Sequence, residues 1–569
     1  MDGTEPALLL GPMLRYTDQT SATIWMETDR PATAEVLGRK TTTFSVGGRH
    51  YALVLVEGLE PGGCVEYSVS LDGRTVWPDP ALGQPPSVIR TPVPGQRVTI
   101  LAGSCRAAAP HEPPFSLERL FDHEGRGIDS LWAEALLVQT RPVEDWPDLL
   151  LFVGDQIYAD DSSPGTRERI TALRGDDSDL PPAIVAGFEE YCWLYHESWS
   201  PPVERWLLST VPSMMLFDDH DMIDDWNISA AWVADIRREP WWAEHVIGGL
   251  VSYWIYQHLG NLSPAQVREE GLLDRLLAET DGTDLLRRWA FESESSTPLP
   301  GGYRFSTVRE VGDVTIALVD CRNSRVLENG HRLMVDNGEW DWLAGRARDT
   351  TGHLLLATPL PVFVADGVHD LQVWNEAVCD GAWGRRAARW GERVRRSLDL
   401  EDWSAFAGSY EAFARLVGDL QADDDGPQSV VIVSGDIHFS YAARVLPAAG
   451  GAPPVWQVVS SPIRNALDPH ERKVMQLALS RPGRAVGALL RRAARRPDSR
   501  PAIDTVAGPF FANNISELCY DGDRIELVVA NFTPDSDGRP ELRELSRLDL
   551  GSRHRHAEPC SETDLGLVQ

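Results

Sequence analysis

Between residues 8 and about 94, apolar and polar side chains alternate in short runs, LRYTDQTSATIWME, TTTFSV, HYALVLVEGL and VEYSVSLDG, separated by Gly, Pro and Asp turns. Alternation of period two marks half-buried strands, so this stretch predicts a small all-β sandwich. From about residue 98 the rhythm changes to short apolar runs, VTILAGS, DLLLFVGD, PSMMLFDD, VTIALVD, HLLLATP, SVVIVSGD and VWQVVSS, set between long helical and loop segments. That spacing predicts an α/β domain. The Trp-rich stretches YCWLYHESWSPPVERW and ISAAWVADIRREPWWAEHVIGGL read as helices, with most indoles in the core and a minority on a cleft wall. The longest nearly apolar stretch, 246–260, is too short and too polar at its end to span a bilayer and reads as a buried helix.

A chain of 569 residues exceeds what one core usually serves, so a large catalytic domain over 96–569 is expected beside the small module over 1–95. Within that module, GLEPGGCVEYSV resembles the corner of a fibronectin type III domain, where Leu and Pro precede a strand carrying Tyr. Apolar content of 43% and charged content of 24% are ordinary globular values. The formal net charge of -32 repels nucleic-acid phosphate and anionic membrane unless it is locally reversed or screened by bound cations, so no nucleic-acid partner is expected. One segment opposes that charge: 480–501 carries Arg481, Arg484, Arg491, Arg492, Arg495, Arg496 and Arg500 and reads as an amphipathic helix with a basic face. It is either a solvated, salt-bridged insertion or a contact for a membrane surface or polyanion. The seven cysteines are scattered without a CxxC pair, as for reduced thiols, and the N-terminus lacks the marks of a secretory signal, so a cytoplasmic location is expected. The polar residues from about 551 read as a loose tail.

The chemistry collects just beyond the predicted strands, which is where open α/β sheets place their sites. VTILAGS ends in Ser104-Cys105-Arg106, and DLLLFVG runs into Asp155-Gln156-Ile157-Tyr158-Ala159-Asp160. PSMMLF opens into Asp218-Asp219-His220-Asp221, followed by Asp224, Asp225, Trp226 and Asn227. VTIALV leads to Asp320-Cys321-Arg322, and SVVIVSG to Asp436-Ile437-His438. Carboxylates crowded on one rim repel each other unless cations neutralise them, and Asp with His is a donor set for divalent or trivalent metals. Asp155, at a sharp Gly-Asp turn, is placed to bridge two ions, which together activate a water and polarise a phosphoryl oxygen.

The words GSC, GDQIYAD, FDDHDMIDDWN and SGDIHFS, in this order on these strands, resemble the PhoD-like alkaline phosphatase and phosphodiesterase branch of the calcineurin-like metallophosphoesterases. The resemblance implies a four-layer αββα sandwich and a centre of ferric iron (Fe3+) and calcium (Ca2+), with other divalent ions as substitutes. It also implies that Cys105 binds as thiolate, Asp155 bridges, Tyr158 binds as phenolate, and Asp219, Asp436 and His438 complete the metal shell. His220 then assists the leaving group. Two departures stand out: Ile223, Asp224 and Asp225 replace the family's DDHEVDNNW ending, and no twin-Arg export signal is seen.

Arg322 and Arg106 are further candidates, since a guanidinium matches two phosphoryl oxygens, although each could equally serve a structural ion pair. Asn375, in QVWNEAVCDGAWGRR, falls in an insertion resembling the family's site-covering segment. The expected activity is hydrolysis of a small phosphomonoester or phosphodiester. The rival readings are a non-haem iron oxidoreductase, which also uses Asp, His and Tyr around iron, and a non-catalytic calcium-binding interaction protein.

Overall fold

The computed structural model describes residues 5–175, 180–295, 303–327, 332–446, 454–496 and 500–551. The expected tail from about 551 therefore lies, but for its first residue, outside the described residues, as does Cys560.

The N-terminal runs form two four-stranded antiparallel sheets and a two-stranded pair. One sheet orders Leu8–Thr17, Ser21–Thr28, Arg49–Glu57 and Phe44–Val46, and the other Arg39–Thr42, Thr33–Val36, Val69–Leu71 and Arg74–Trp77. Alternation assigns the faces: Ile24 and Met26 pack with Val36, Val54, Val69 and Trp77, whereas Trp25 between them points into the helical core with Tyr51 and Tyr256. Both faces of the strand are thus buried. VEYSV does not form one strand. Cys64–Glu66 pairs with Val88–Arg90, while Val69–Leu71 joins the second sheet, and between them the Tyr67 hydroxyl donates to the Ser209 carbonyl.

All seven apolar runs beyond residue 98 are strands, divided between two large mixed sheets. In the six-stranded sheet, Ser213–Leu216, Leu149–Val153 and Val98–Gly103 run parallel, and Ile515–Asp521, Arg524–Pro534 and Pro540–Asp549 continue it antiparallel. In the seven-stranded sheet, Val314–Leu318, His353–Ala357, Ser429–Ser434 and Val455–Val459 are parallel, with Thr307–Val311, Ser440–Val445 and Ile503–Phe510 antiparallel at the edges. Ile100, Leu151 and Val153 from one sheet share a core with Ile316, Leu355 and Val433 from the other. Near the ends of their strands the sheets approach so closely that a Cβ at Gly435 would lie 2.1 Å from Ser104 Oγ. Only glycine fits there.

The Trp-rich stretches form helices Phe188–Trp199, Pro202–Thr210, Ala230–Ile236 and Trp242–Tyr256. Trp199, Trp206, Trp226 and Trp254 are fully buried. The stretch 246–260 lies in the last of these helices and a following 3-10 turn, and no helix among the described residues is long and apolar enough to cross a membrane.

Candidate metal centre

The parallel strands deliver Cys105, Asp155, Asp219, Asp436 and His438 to one end of the two sheets, through tight turns rather than long loops. Cys105, Asp155, Asp436 and His438 have φ of +56°, +39°, +67° and +54°. Non-glycine residues in this left-handed region are uncommon, and they persist where surrounding structure holds them, typically at functional sites. Ser104 N-terminal to the thiol and Ser461 across from it place hydroxyls 3.3 and 3.2 Å from Cys105 Sγ. Asp221 fixes the Asp155 turn from behind, accepting from the backbone N–H of Gln156 and Ile157 at 3.1 and 3.2 Å.

Besides Asp219 with His220 and Asp224, three donor groups result. Cys105, Asp155 and His438 each bring a ligand atom within 4.8 Å of the others, as do Asp155, Asp218 and Asp219, and Asp219, Glu401 and Asp436. Asp155 belongs to the first two and Asp219 to the last two, which makes the array continuous. Buried oxygens in it lack hydrogen-bond partners: Asp155 Oδ1, Asp218 Oδ2 and Asp219 Oδ1, the last lying 3.1 Å from an Arg322 nitrogen without hydrogen-bond geometry. Such atoms cost free energy unless something binds them. Burial and then the neighbouring carboxylates push Asp155 and Asp436 well above the usual carboxylate range, and burial with Asp155 and Asp436 does the same to the Cys105 thiol. Burial and the nearby His220 push His438 down to about 3, so its ring is neutral and free to donate a lone pair. Thiol, carboxylate and neutral imidazole with orphaned oxygens fit bound cations.

Tyr158 closes the array with its hydroxyl 3.5 Å from Asp155 Oδ2 and its ring 4.7 Å from that of His220. His220 Nδ1 lies 2.9 Å from Asp160 Oδ1, and Nε2 lies 3.9 Å from Asp224. Burial disfavours the charged ring, but Asp160, then Asp219 and Asp155, outweigh it and hold His220 well above the ordinary histidine range. Asp160 also accepts from the Asp224 backbone N–H at 2.6 Å, tying the His220 loop to the Tyr158 loop. A cavity of about 800 Å³ opens on Tyr158, Asp219, His220, Asp436 and His438. Its other wall is partly apolar, with Ile437, Phe439, Leu467, Met475 and Leu479.

A solved structure described as "Structure of PhoD" superposes with a TM-score of 0.60 at 13% identity, covering 100% of this chain and 95% of that one. The fold is PhoD-like. A family model described only as a domain of unknown function, DUF7800, matches residues 5–89, and no curated protein matches the chain.

Arg322 and Arg106 are engaged in the ion pairs that their sequence left open beside phosphate binding, and Asn375 lies off the cavity. Arg322 is fully buried behind the donors: Nε donates to Asp218, Nη1 to Glu401 at 2.6 Å and Nη2 to Asp436 at 3.3 Å. Its donors are aimed at carboxylates, and it does not line the cavity. Arg106 is buried in ion pairs with Asp129 and Glu204 at 2.9 and 2.8 Å. Asn375 is buried in helix Asp366–Cys379, donating to the Gly391 carbonyl at 2.8 Å, away from the cavity. The sequence assigns no role to Asp160 or Glu401. Asp160 ends the word GDQIYAD, which was a usable signal, whereas Glu401 follows no strand and reaches the centre from a helix-linking loop.

Proposed function

We propose that this protein is a metal-dependent phosphoesterase whose metal shell is Cys105, Asp155, Tyr158, Asp219, Asp436 and His438. The observation that carries the reading is the continuous array of thiol, carboxylate and imidazole donors with unpartnered buried oxygens, opening on a cavity that also holds His220. The two sheets sharing one core, with helices outside, support the four-layer arrangement, and the N-terminal sheets support a β-sandwich module over 1–95. Cys105 with Tyr158 suits a high-charge cation such as Fe3+, and the oxygen-only group Asp155, Asp218 and Asp219, which holds the orphaned oxygens, suits a hard ion such as Ca2+.

When bound, such cations polarise a phosphoryl oxygen and lower the pKa of water, supplying charge stabilisation and a nucleophile at neutral pH. The protein's own groups do the rest. Asp155 and Asp219, each shared between donor groups, fix the spacing of the centre. His220, kept protonated and oriented by Asp160, donates a proton from Nε2 to the leaving alcohol oxygen as the P–O bond breaks. The apolar wall takes the organic part of the ester.

The test is release of p-nitrophenol from p-nitrophenyl phosphate and from its bis ester, before and after chelation and metal return. Turnover that disappears with chelation and returns with metal supports the reading. Turnover indifferent to chelation overturns it.

A further inference from the structure

Beyond the catalytic reading, two helices of this acidic protein combine several arginines with exposed aromatic and aliphatic side chains. Helix Arg385–Ser397, with Trp383 just before it, carries six arginines and one acidic residue, and 480–496 carries six arginines and none. Both pack on helix Asp366–Cys379 through one small core, in which Trp374 and Ala494 are buried and Val394 and Leu490 lean on them. The Trp383 indole N–H donates to the Ala493 carbonyl at 3.3 Å, joining the start of one helix to the end of the other.

Packing has sorted the arginines. Arg491 pairs with Asp370 at 2.6 Å, Arg496 with Asp380 at 3.4 Å, and Arg395 and Arg396 with Glu392 at 3.1 and 3.0 Å. Among the described residues, no carboxylate reaches Arg385, Arg386, Arg389, Arg393, Arg492 or Arg495 within ion-pair distance. Beside the first helix Trp383 and Trp390 rest edge-on against Trp374 yet are 45% and 50% exposed, and on the second helix Val486 and Leu489 are 57% and 66% exposed. Large apolar side chains left in water among unpaired cations mark an interaction surface.

We propose that the outward faces of these two helices form a docking surface for an anionic lipid membrane. Helices that lie on a bilayer set Trp and Leu at the level of the acyl boundary and Arg against the headgroup phosphates. Nucleic acid would answer the arginines but not Val486 and Leu489. The overall charge of -32 is reversed locally here, since the two segments together carry twelve arginines and one acidic residue. Arg484, on the same helix as Leu489, lines the cavity.

Flotation of the whole protein with vesicles of phosphatidylglycerol or phosphatidylcholine tests this. The protein is expected to float with the anionic vesicles at low salt and to be released by high salt or by neutral lipid. Arg385→Gln/Arg389→Gln/Arg393→Gln/Arg492→Gln and, separately, Trp390→Ser/Leu489→Ser should each lower the bound fraction at least about tenfold, with thermal unfolding unchanged. Absence from the anionic vesicle fraction, or flotation that neither variant alters, overturns the proposal. So does binding of a single-stranded polynucleotide that needs the arginines and not Trp390 or Leu489, in protein that does not float.

Discussion

Nδ1 of His220 lies 2.9 Å from Oδ1 of Asp160, and this pair decides which ring nitrogen serves the cavity and in what state of charge. With Nδ1 held by Asp160, Nε2 is the nitrogen left to act. Because Asp160 and the other carboxylates raise the His220 pKa, the acid form persists as pH rises, and activity on esters that need leaving-group protonation should fall only as pH passes that raised value. Asp160→Asn should move this basic limb to lower pH and cut turnover of poor leaving groups by at least about tenfold, sparing p-nitrophenyl esters. His220→Ala should show the same selectivity with a larger loss, about 10²–10⁴-fold. Equal losses on good and poor leaving groups would remove the proton-donor role.

Asp155 is a liability in the metal-free protein. Its pKa is raised in the folded state, so above the ordinary carboxylate value the folded form must either hold a proton or bear an unfavourable charge, and stability falls as pH rises through that window. Asp155→Asn should therefore raise the melting temperature of chelated protein at neutral pH. The stabilisation that added metal gives the parent should be lost in the variant. A variant that melts lower than the parent without metal would make Asp155 a structural hydrogen-bonding group.

Arg322 separates positioning from substrate binding. Removing its guanidinium leaves Asp218 buried without a cation and Glu401 with Arg325 alone, so Arg322→Ala should lose roughly 3–5 kcal/mol in denaturant unfolding. Arg322→Lys should recover part of it. A residue that clamps phosphate would instead raise KM with stability intact.

Much of this was legible in the sequence because a buried parallel strand is written as an uninterrupted apolar run, and the donors follow those runs directly: LLLFVGD gives both a strand and Asp155. What was not legible has physical reasons. The edge strand Pro540–Asp549, PELRELSRLD, is mostly exposed and charged, so it has no apolar signature. Arg106, Arg322 and Asn375 are polar residues whose partners, Glu204, Glu401 and Gly391, lie far away or carry no motif, so a chain read in order cannot tell a phosphate clamp from a buried ion pair. Arg491 and Arg496 looked equivalent to Arg492 and Arg495 until helix packing set the first two against Asp370 and Asp380.

In the proposed metal shell, Cys105 and Tyr158 would set the identity of one cation. A thiolate and a phenolate are strongly donating anions, and a phenolate on ferric iron absorbs visible light by charge transfer. Protein purified without chelator should be coloured, Tyr158→Phe should bleach or shift the band, and Cys105→Ser should retain less iron. A colourless, fully active enzyme with only zinc, manganese or calcium would remove both residues from the metal shell.

The central claim is tested most directly by measuring metal content and bis(p-nitrophenyl) phosphate turnover on the same preparations of the parent and Asp155→Asn. The account predicts bound metal and turnover in the parent, and in the variant a folded protein with reduced metal and activity lowered by at least about a thousandfold. A variant that loses metal yet turns over the diester at the parental rate, or a metal-free parent that does so, would contradict it.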